Sequence, residues 1–177
     1  MKYQSKGRGI LIKNSILKTM SQVDAIIFDC DGVLVDVSKS YDLAIKQTTA
    51  YVLEKFANIK SIPISAKIIS DFKATGGFND EVAVTYACIL SLVAARRLGI
   101  NAKKFINTVI DNADSTGITS VEKYLNTLSV NLSDIRSSLK YPGQHSTNPL
   151  YQIFDQMFYG KKLYRKIFHK KSQFKSN

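Results

Sequence analysis

Two aspartates, Asp29 and Asp31, have the residue type and spacing that could do chemistry. They follow a short apolar run, residues 25–28, rich in β-branched and aromatic side chains. Such a run predicts a strand buried on both faces of a parallel sheet. Side chains at positions i and i+2 of a strand share one face. Both carboxylates can therefore point into the crevice at the strand's carboxyl end, where open α/β sheets hold ligands, and a metal cation would relieve their mutual repulsion.

The stretch around these aspartates resembles the first motif of the haloacid dehalogenase superfamily, an apolar strand followed by D-x-D-G-x-x-x-D. Asp29, Asp31, Gly32 and Asp36 match that motif position by position. The resemblance implies an α/β fold, a Rossmannoid core with an α-helical cap inserted after the first strand. It covers roughly residues 23–165. The core would therefore be represented by its first strand only and would be incomplete.

The resemblance implies a cytoplasmic, Mg²⁺-dependent phosphatase that hydrolyses a small phosphorylated metabolite. Asp29 would attack phosphorus and form an aspartyl-phosphate intermediate. Asp31 would protonate the leaving oxygen and later take a proton from the hydrolytic water. The metal ligands would be the Asp29 carboxylate and the Asp31 backbone carbonyl. Family members that dehalogenate lack the second aspartate, so Asp31 favours phosphoryl chemistry, although a phosphomutase uses the same pair.

A second informative stretch, residues 71–80, has the sequence DFKATGGFND. Gly76 and Gly77 predict a flexible turn before a helix whose N-cap would be Asn79. Backbone N–H groups at a helix start, with Lys73 nearby, could hold an anion. In one subgroup of the superfamily a K-x-x-G-G-F-N-D segment lies in the cap, and this resemblance implies that Lys73, Gly77 and Asn79 contact the substrate. A plain Gly-Gly loop before a capped helix is the alternative.

Apolar residues spaced three and four apart predict helices along the rest of the chain. The predicted helices span residues 38–60, 65–73, 79–98, 102–113, 119–129 and 150–160. The apolar surface of the 79–98 helix predicts a buried helix of the cap, since a membrane span needs about twenty uninterrupted apolar residues; we expect no transmembrane segment. Residues 131–149 predict a loop in which nothing orients His145.

The net charge of +11 is concentrated at the two ends of the chain. Residues 1–20 hold five basic groups and no acid, and residues 156–177 hold seven basic groups and no acid. This distribution does not favour a folded nucleic-acid-binding surface, which spreads Lys and Arg over one face. Cys30 and Cys88 lie in apolar stretches, and we expect them to be reduced core thiols of a cytoplasmic protein.

These observations predict four segments. Residues 1–22 would be a basic extension, 23–37 the first strand and catalytic loop, 38–165 the helical cap, and 166–177 a basic tail. The resemblance also calls for an apolar strand that ends in a phosphoryl-binding Ser or Thr, for a Lys that neutralises the phosphoryl group and for a final acidic pair. The residues after 165 show no such strand and contain no acidic residue. One strand cannot form a parallel sheet, and its open edges would invite another chain. We therefore expect little or no catalysis from this chain alone, with a second chain as the partner that completes the core.

Two other interpretations stay open. The chain could be a catalytically inactive helical interaction module, or half of a split enzyme. Alternatively, it could be a basic peripheral protein that uses its ends on membranes or nucleic acid, since basic tails bind polyanions non-specifically.

Overall fold

The chain forms two compact units, Met1–Asp36 and Val37–Asn177. The computed structural model describes residues 3–8, 11–20, 22–31, 33–60 and 62–174. The division falls after Asp36, and the finer predicted division of the chain at residues 22 and 165 stays a prediction.

The N-terminal unit begins with a small hairpin. Strands β1 (Tyr3–Ser5) and β2 (Leu11–Lys13) pair antiparallel. A 3-10 turn, Asn14–Ile16, leads into the short helix α1, Leu17–Met20. The residues that follow, here called the acidic segment (residues 23–36), form neither a helix nor an extended strand where the structure describes them. Within the described part of this segment, one isolated bridge joins Asp31 and Val35.

The predicted α/β class is wrong. Within the described ranges the only sheet is the two-stranded antiparallel pair β1–β2, and the structure is otherwise mainly helical. Residues 25–28, predicted as a buried strand, are irregular, and Ile26, Ile27 and Phe28 are 72%, 97% and 61% exposed. A central strand needs neighbours that accept and donate its backbone hydrogen bonds, and the described N-terminal unit offers residues 25–28 none. Gly32, the predicted turn residue, lies outside the described residues.

The second unit is helical, and most of its predicted helices are confirmed. One π-helical turn, Ser38–Asp42, precedes α2. The helices are α2 (Leu43–Ala57), α3 (Ala66–Ala74), α4 (Glu81–Leu98), α5 (Ala102–Asp111), α6 (Ile118–Thr127), α7 (Ser133–Leu139) and α8 (Pro149–Phe168). Gly160 has a non-helical backbone, with φ at 65°, and divides α8 into two helical parts, so the predicted stop of the first part at Gly160 is confirmed.

Helix α4 is the centre of the helical unit. Every residue from Val82 to Ala95 is buried, and α2, α3, α5, α6 and α8 all pack against it. A helix that is apolar on all sides is stable only when it is surrounded, so the prediction of a buried helix here is confirmed. No helix in the described part of the chain is long and apolar enough to cross a membrane, as expected.

The N-cap prediction for α4 is wrong by one residue. The Asp80 carboxylate, and not Asn79, accepts a hydrogen bond of 2.9 Å from the Val82 N–H. The predicted stop at Gly99 is confirmed, with φ at 68°. The two cysteines differ: Cys88 is buried in α4 as expected, whereas Cys30 is exposed, against the prediction.

Helix α7 lies where a loop was predicted. Leu132, directly before the helix, and Ile135 and Leu139 within it are buried and recur at helical spacing. The prediction gave more weight to the nearby Pro142 and Gly143, which favour a loop. The guanidinium of Arg97, in the last turn of α4, donates two hydrogen bonds of 2.8 and 2.7 Å to the Asp134 carboxylate and a third to the Asn131 carbonyl. This pair joins α7 to the end of α4.

The Arg97 fork lowers the pKa of Asp134 to about 2. Because the ordinary value is 3.8, the ionised carboxylate stabilises the fold above that pH and the contribution is lost as the pH falls toward 2. Arg97→Lys keeps the charge but loses the planar fork, so we expect the pKa of Asp134 to rise toward 3.8 in a ¹³C NMR titration. Arg96→Lys is the matched control, and equal shifts in both variants would contradict the assignment.

Candidate functional site

Asp29 and Asp31 lie in the exposed acidic segment of the N-terminal unit. The backbone reverses just after them, since the N–H groups of Leu34 and Val35 donate to the Cys30 carbonyl at 2.9 and 3.0 Å. Asp31 takes part in the bridge with Val35 at the same turn. The two carboxylates are therefore carried on a turn with high solvent access, and not at the tip of a buried strand.

Carboxylate oxygens are the donors that Mg²⁺ prefers, but the cation takes about six oxygen ligands. Among the residues that the structure describes, no group of three or more His, Cys, Asp or Glu side chains could hold a metal ion. Asp29 and Asp31 thus fit Mg²⁺ in donor type but fall short in number. Any further ligands would have to come from water or from other polypeptide.

The predicted substrate residues belong to the helical unit. Lys73, in the last turn of α3, lies with its Nζ 3.1 Å from Glu81 Oε1 at the start of α4. Asn79 is exposed in the connection between these helices. Lys73 therefore already has an acidic partner within the chain, and an anionic ligand would compete with Glu81 for it.

Gly77 is fixed by a close approach of two loops. A Cβ at Gly77 would lie 2.2 Å from the Gly117 nitrogen and 2.7 Å from the Asp114 carbonyl oxygen. Gly117, at the start of α6, has φ at 62°. A Cβ at Gly117 would likewise lie 2.2 Å from the Gly77 carbonyl oxygen. This contact is a packing reason for glycine at residue 77, beside the predicted contact with substrate.

Gly77→Ala should force the two loops apart. We expect the free energy of unfolding to fall by about 3 kcal/mol, as overpacking against backbone allows little relief. Urea denaturation followed by circular dichroism measures this loss.

Gly99→Ala is the control for Gly77→Ala. Its φ of 68° strains an alanine, yet no described atom lies within 4 Å of the added Cβ. The expected loss is about 1–2 kcal/mol. A smaller loss for Gly77→Ala than for Gly99→Ala would contradict the close approach.

A polar cluster that sequence reasoning missed surrounds Asp80. The hydroxyls of Tyr151 and Tyr141 donate to Asp80 Oδ2 at 2.7 and 3.3 Å. The partners are 71 and 61 residues away along the chain, so no local pattern could have revealed them. Burial and the Asp80 carboxylate raise the pKa of Tyr141 and bring that of Tyr151 to about 12. Both hydroxyls therefore remain donors throughout the neutral range.

His145 extends this cluster, and the expectation that nothing orients it is wrong. Its Nε2 lies 3.0 Å from Asp155 Oδ2 on α8, and its ring meets Tyr151 edge-on at 4.6 Å. Burial raises the pKa of Asp155, while the neighbouring His145 opposes that rise. The hydrogen bonds and the ion pair of this cluster hold the 141–149 connection against the start of α4 and against α8.

Tyr151→Phe removes the shortest hydrogen bond to the Asp80 carboxylate. We expect the free energy of unfolding to fall by about 2 kcal/mol, the range for a bond to a charged acceptor. Tyr124→Phe is the control, because the Tyr124 hydroxyl donates to no atom in the described ranges, and it should change stability by less than about 0.5 kcal/mol. Urea unfolding of both variants at neutral pH gives the comparison, and equal effects would contradict a structural role for the cluster.

Comparison with known proteins adds no further identification. No protein-family model, no curated protein and no solved structure matches this chain. Its class therefore rests on its own residues and their arrangement.

Proposed function

We propose that this chain carries the acidic residues of a Mg²⁺-dependent phosphatase that acts on a small phosphorylated metabolite. The observation that carries the proposal is the pair Asp29 and Asp31, which are separated by one residue in a D-x-D-G-x-x-x-D pattern. Both side chains are exposed. Their exposure leaves both carboxyl groups accessible to a substrate from solution.

The proposed reaction has two steps, formation and hydrolysis of an aspartyl-phosphate, and both carboxyl groups take part in each step. An Asp29 oxygen attacks phosphorus, and the bond between phosphorus and the leaving oxygen breaks. Asp31 gives that oxygen its proton, then removes a proton from the water that hydrolyses the aspartyl-phosphate. Mg²⁺, held by the Asp29 carboxylate and the Asp31 carbonyl with further ligands from elsewhere, would offset the charge of the phosphoryl group.

The apolar part of the acidic segment supports a site completed by further polypeptide. Ile26, Ile27 and Phe28 expose most of their surface directly before Asp29. Contiguous apolar side chains of this kind mark contact surfaces. In the proposal, a second chain covers them and supplies the missing phosphoryl-binding and metal-binding groups.

Lys73, Gly77 and Asn79 keep their proposed role in choosing the substrate. Lys73 would pair with an acidic group of the metabolite after leaving Glu81, 3.1 Å away. The proposed setting is the cytoplasm, because a free exposed thiol at Cys30 suits a reducing compartment.

Asp29→Asn tests the nucleophile. The full chain should release p-nitrophenol from p-nitrophenyl phosphate slowly and only with Mg²⁺, and Asp29→Asn should reduce this to the background rate. Asp31→Asn should lower the rate by about 10²- to 10⁴-fold, the range for a lost general acid. Asp24→Asn, the same exchange in the same exposed stretch, is the control and should retain the activity.

The second candidate function is an inactive helical interaction module, which the exposed apolar side chains also favour. A full chain without Mg²⁺-dependent release above the Asp29→Asn background would reject catalysis by this chain alone, the result expected of the module and of half of a split enzyme. Equal activity in wild type and Asp29→Asn would reject the nucleophile assignment.

A further inference from the structure

Two adjoining cavities lie at the C-terminal end of the helical unit and share Lys170 and Lys171. The first, here called the basic pocket, has a volume of about 530 Å³ and is lined by Lys161, Arg165, His169, Lys170, Lys171 and Ser172. The second, the aromatic pocket, has a volume of about 350 Å³, and its walls include Tyr51, Phe56 and Tyr164. Both volumes lie in or near the range of small-ligand sites.

The two residues that both pockets share, Lys170 and Lys171, belong to the chain after α8, which is held against the helical unit. His169, with φ at 54°, reverses the backbone at the end of the helix. The Gln173 N–H then donates to Gln156 Oε1 at 2.8 Å, and the Phe174 ring meets Tyr51 edge-on at 4.8 Å. These contacts anchor the backbone that carries Lys170 and Lys171.

The basic pocket has no acidic partner among the residues that the structure describes. Lys161 and Arg165 lie one helical turn apart, and no ion pair joins them, His169, Lys170 or Lys171 to an acid within the described part of the chain. Guanidinium and ammonium groups that converge on one cavity suit the oxygens of a phosphate chain.

Besides its three aromatic side chains, the aromatic pocket is lined by the two lysines that it shares with the basic pocket and by Gln152, Gln156 and Gln173. Phe56 is 38% exposed beside Tyr51, and the two rings lie 6.4 Å apart. The amide groups of Gln152 and Gln156 already donate to the carbonyls of Ser146 and Gln152. A planar ring would therefore be held by stacking, and its hydrogen-bonding edge would be read weakly.

We propose that the two pockets together bind one nucleoside polyphosphate, with the phosphates in the basic pocket and the base in the aromatic pocket. The basic side chains that line one pocket suit the phosphates of such a ligand, and the aromatic side chains that line the other suit its base. The site lies wholly within the helical unit and uses neither Asp29 nor Asp31, so it stands independently of the proposed phosphatase.

Calorimetric titration of the full chain without divalent metal tests the site. ATP should bind more tightly than inorganic triphosphate, which lacks the base, and than adenosine, which lacks the phosphates. The Kd values for GTP and UTP should lie within a few-fold of that for ATP, because the base is held mainly by stacking and not by hydrogen bonds to its edge. Triphosphate binding as tightly as ATP would overturn the proposal, and so would tighter binding of oligouridylate or of vesicles of anionic lipid.

A pair of double variants separates the pocket from general charge. Lys161→Ala with Arg165→Ala should raise the Kd for ATP roughly tenfold or more. Lys162→Ala with Lys166→Ala removes the same charge from the same helix but no group that lines either pocket, and should raise it less than about twofold. Equal losses would show diffuse attraction to the basic end and overturn the proposal.

Phe56→Leu tests the aromatic pocket and keeps an apolar side chain on α2. It should weaken ATP several-fold, as expected when a stacking face is lost, and leave triphosphate unchanged. An unchanged ATP affinity would place the base elsewhere and reject the proposed site.

Discussion

The burial of α4 on all sides is the constraint on which the helical unit depends. Burying one large apolar side chain stabilises a fold by about 1.5–3 kcal/mol, and α4 contributes such side chains along its whole central length. The neighbouring helices must therefore each present an apolar stripe to it. Thr48 and Thr49 of α2 are buried with hydroxyls that have no partner within the described residues, a cost that this packing offsets.

The two ends of α4 are held by polar contacts with distant parts of the chain. At its start, Asp80 caps the helix and accepts hydrogen bonds from Tyr141 and Tyr151. At its end, Arg97 binds Asp134 of α7. These contacts set where α7, α8 and their connection lie around the central helix. The positions of the basic and aromatic pockets follow from the same arrangement, because residues of α8 line both of them.

The acidic segment, unlike α4, is not buried by neighbouring elements within the described residues. Its apolar side chains are exposed, and its backbone forms a single isolated bridge within the described residues. The residues proposed for phosphoryl transfer thus lie in the less packed unit, whereas the two pockets proposed to bind a nucleotide lie in the well-packed one. A site on a sparsely packed segment needs contacts from elsewhere to hold its geometry, and this is why the proposed phosphatase includes a second chain.

The sequence by itself determined the helices whose apolar residues recur at local spacing, the burial of α4 and its stop at Gly99. It predicted the chemistry of Asp29 and Asp31 from their types and spacing, but not their surroundings. The strand predicted at residues 25–28 failed, because a strand is stabilised by partners far along the chain and an apolar run shows only that burial would be favourable. Only the tertiary structure decided that Tyr141 and Tyr151 reach Asp80, that Gly77 meets Gly117, and that Lys170 and Lys171 join two pockets. Such contacts depend on how whole helices pack, which local spacing does not encode.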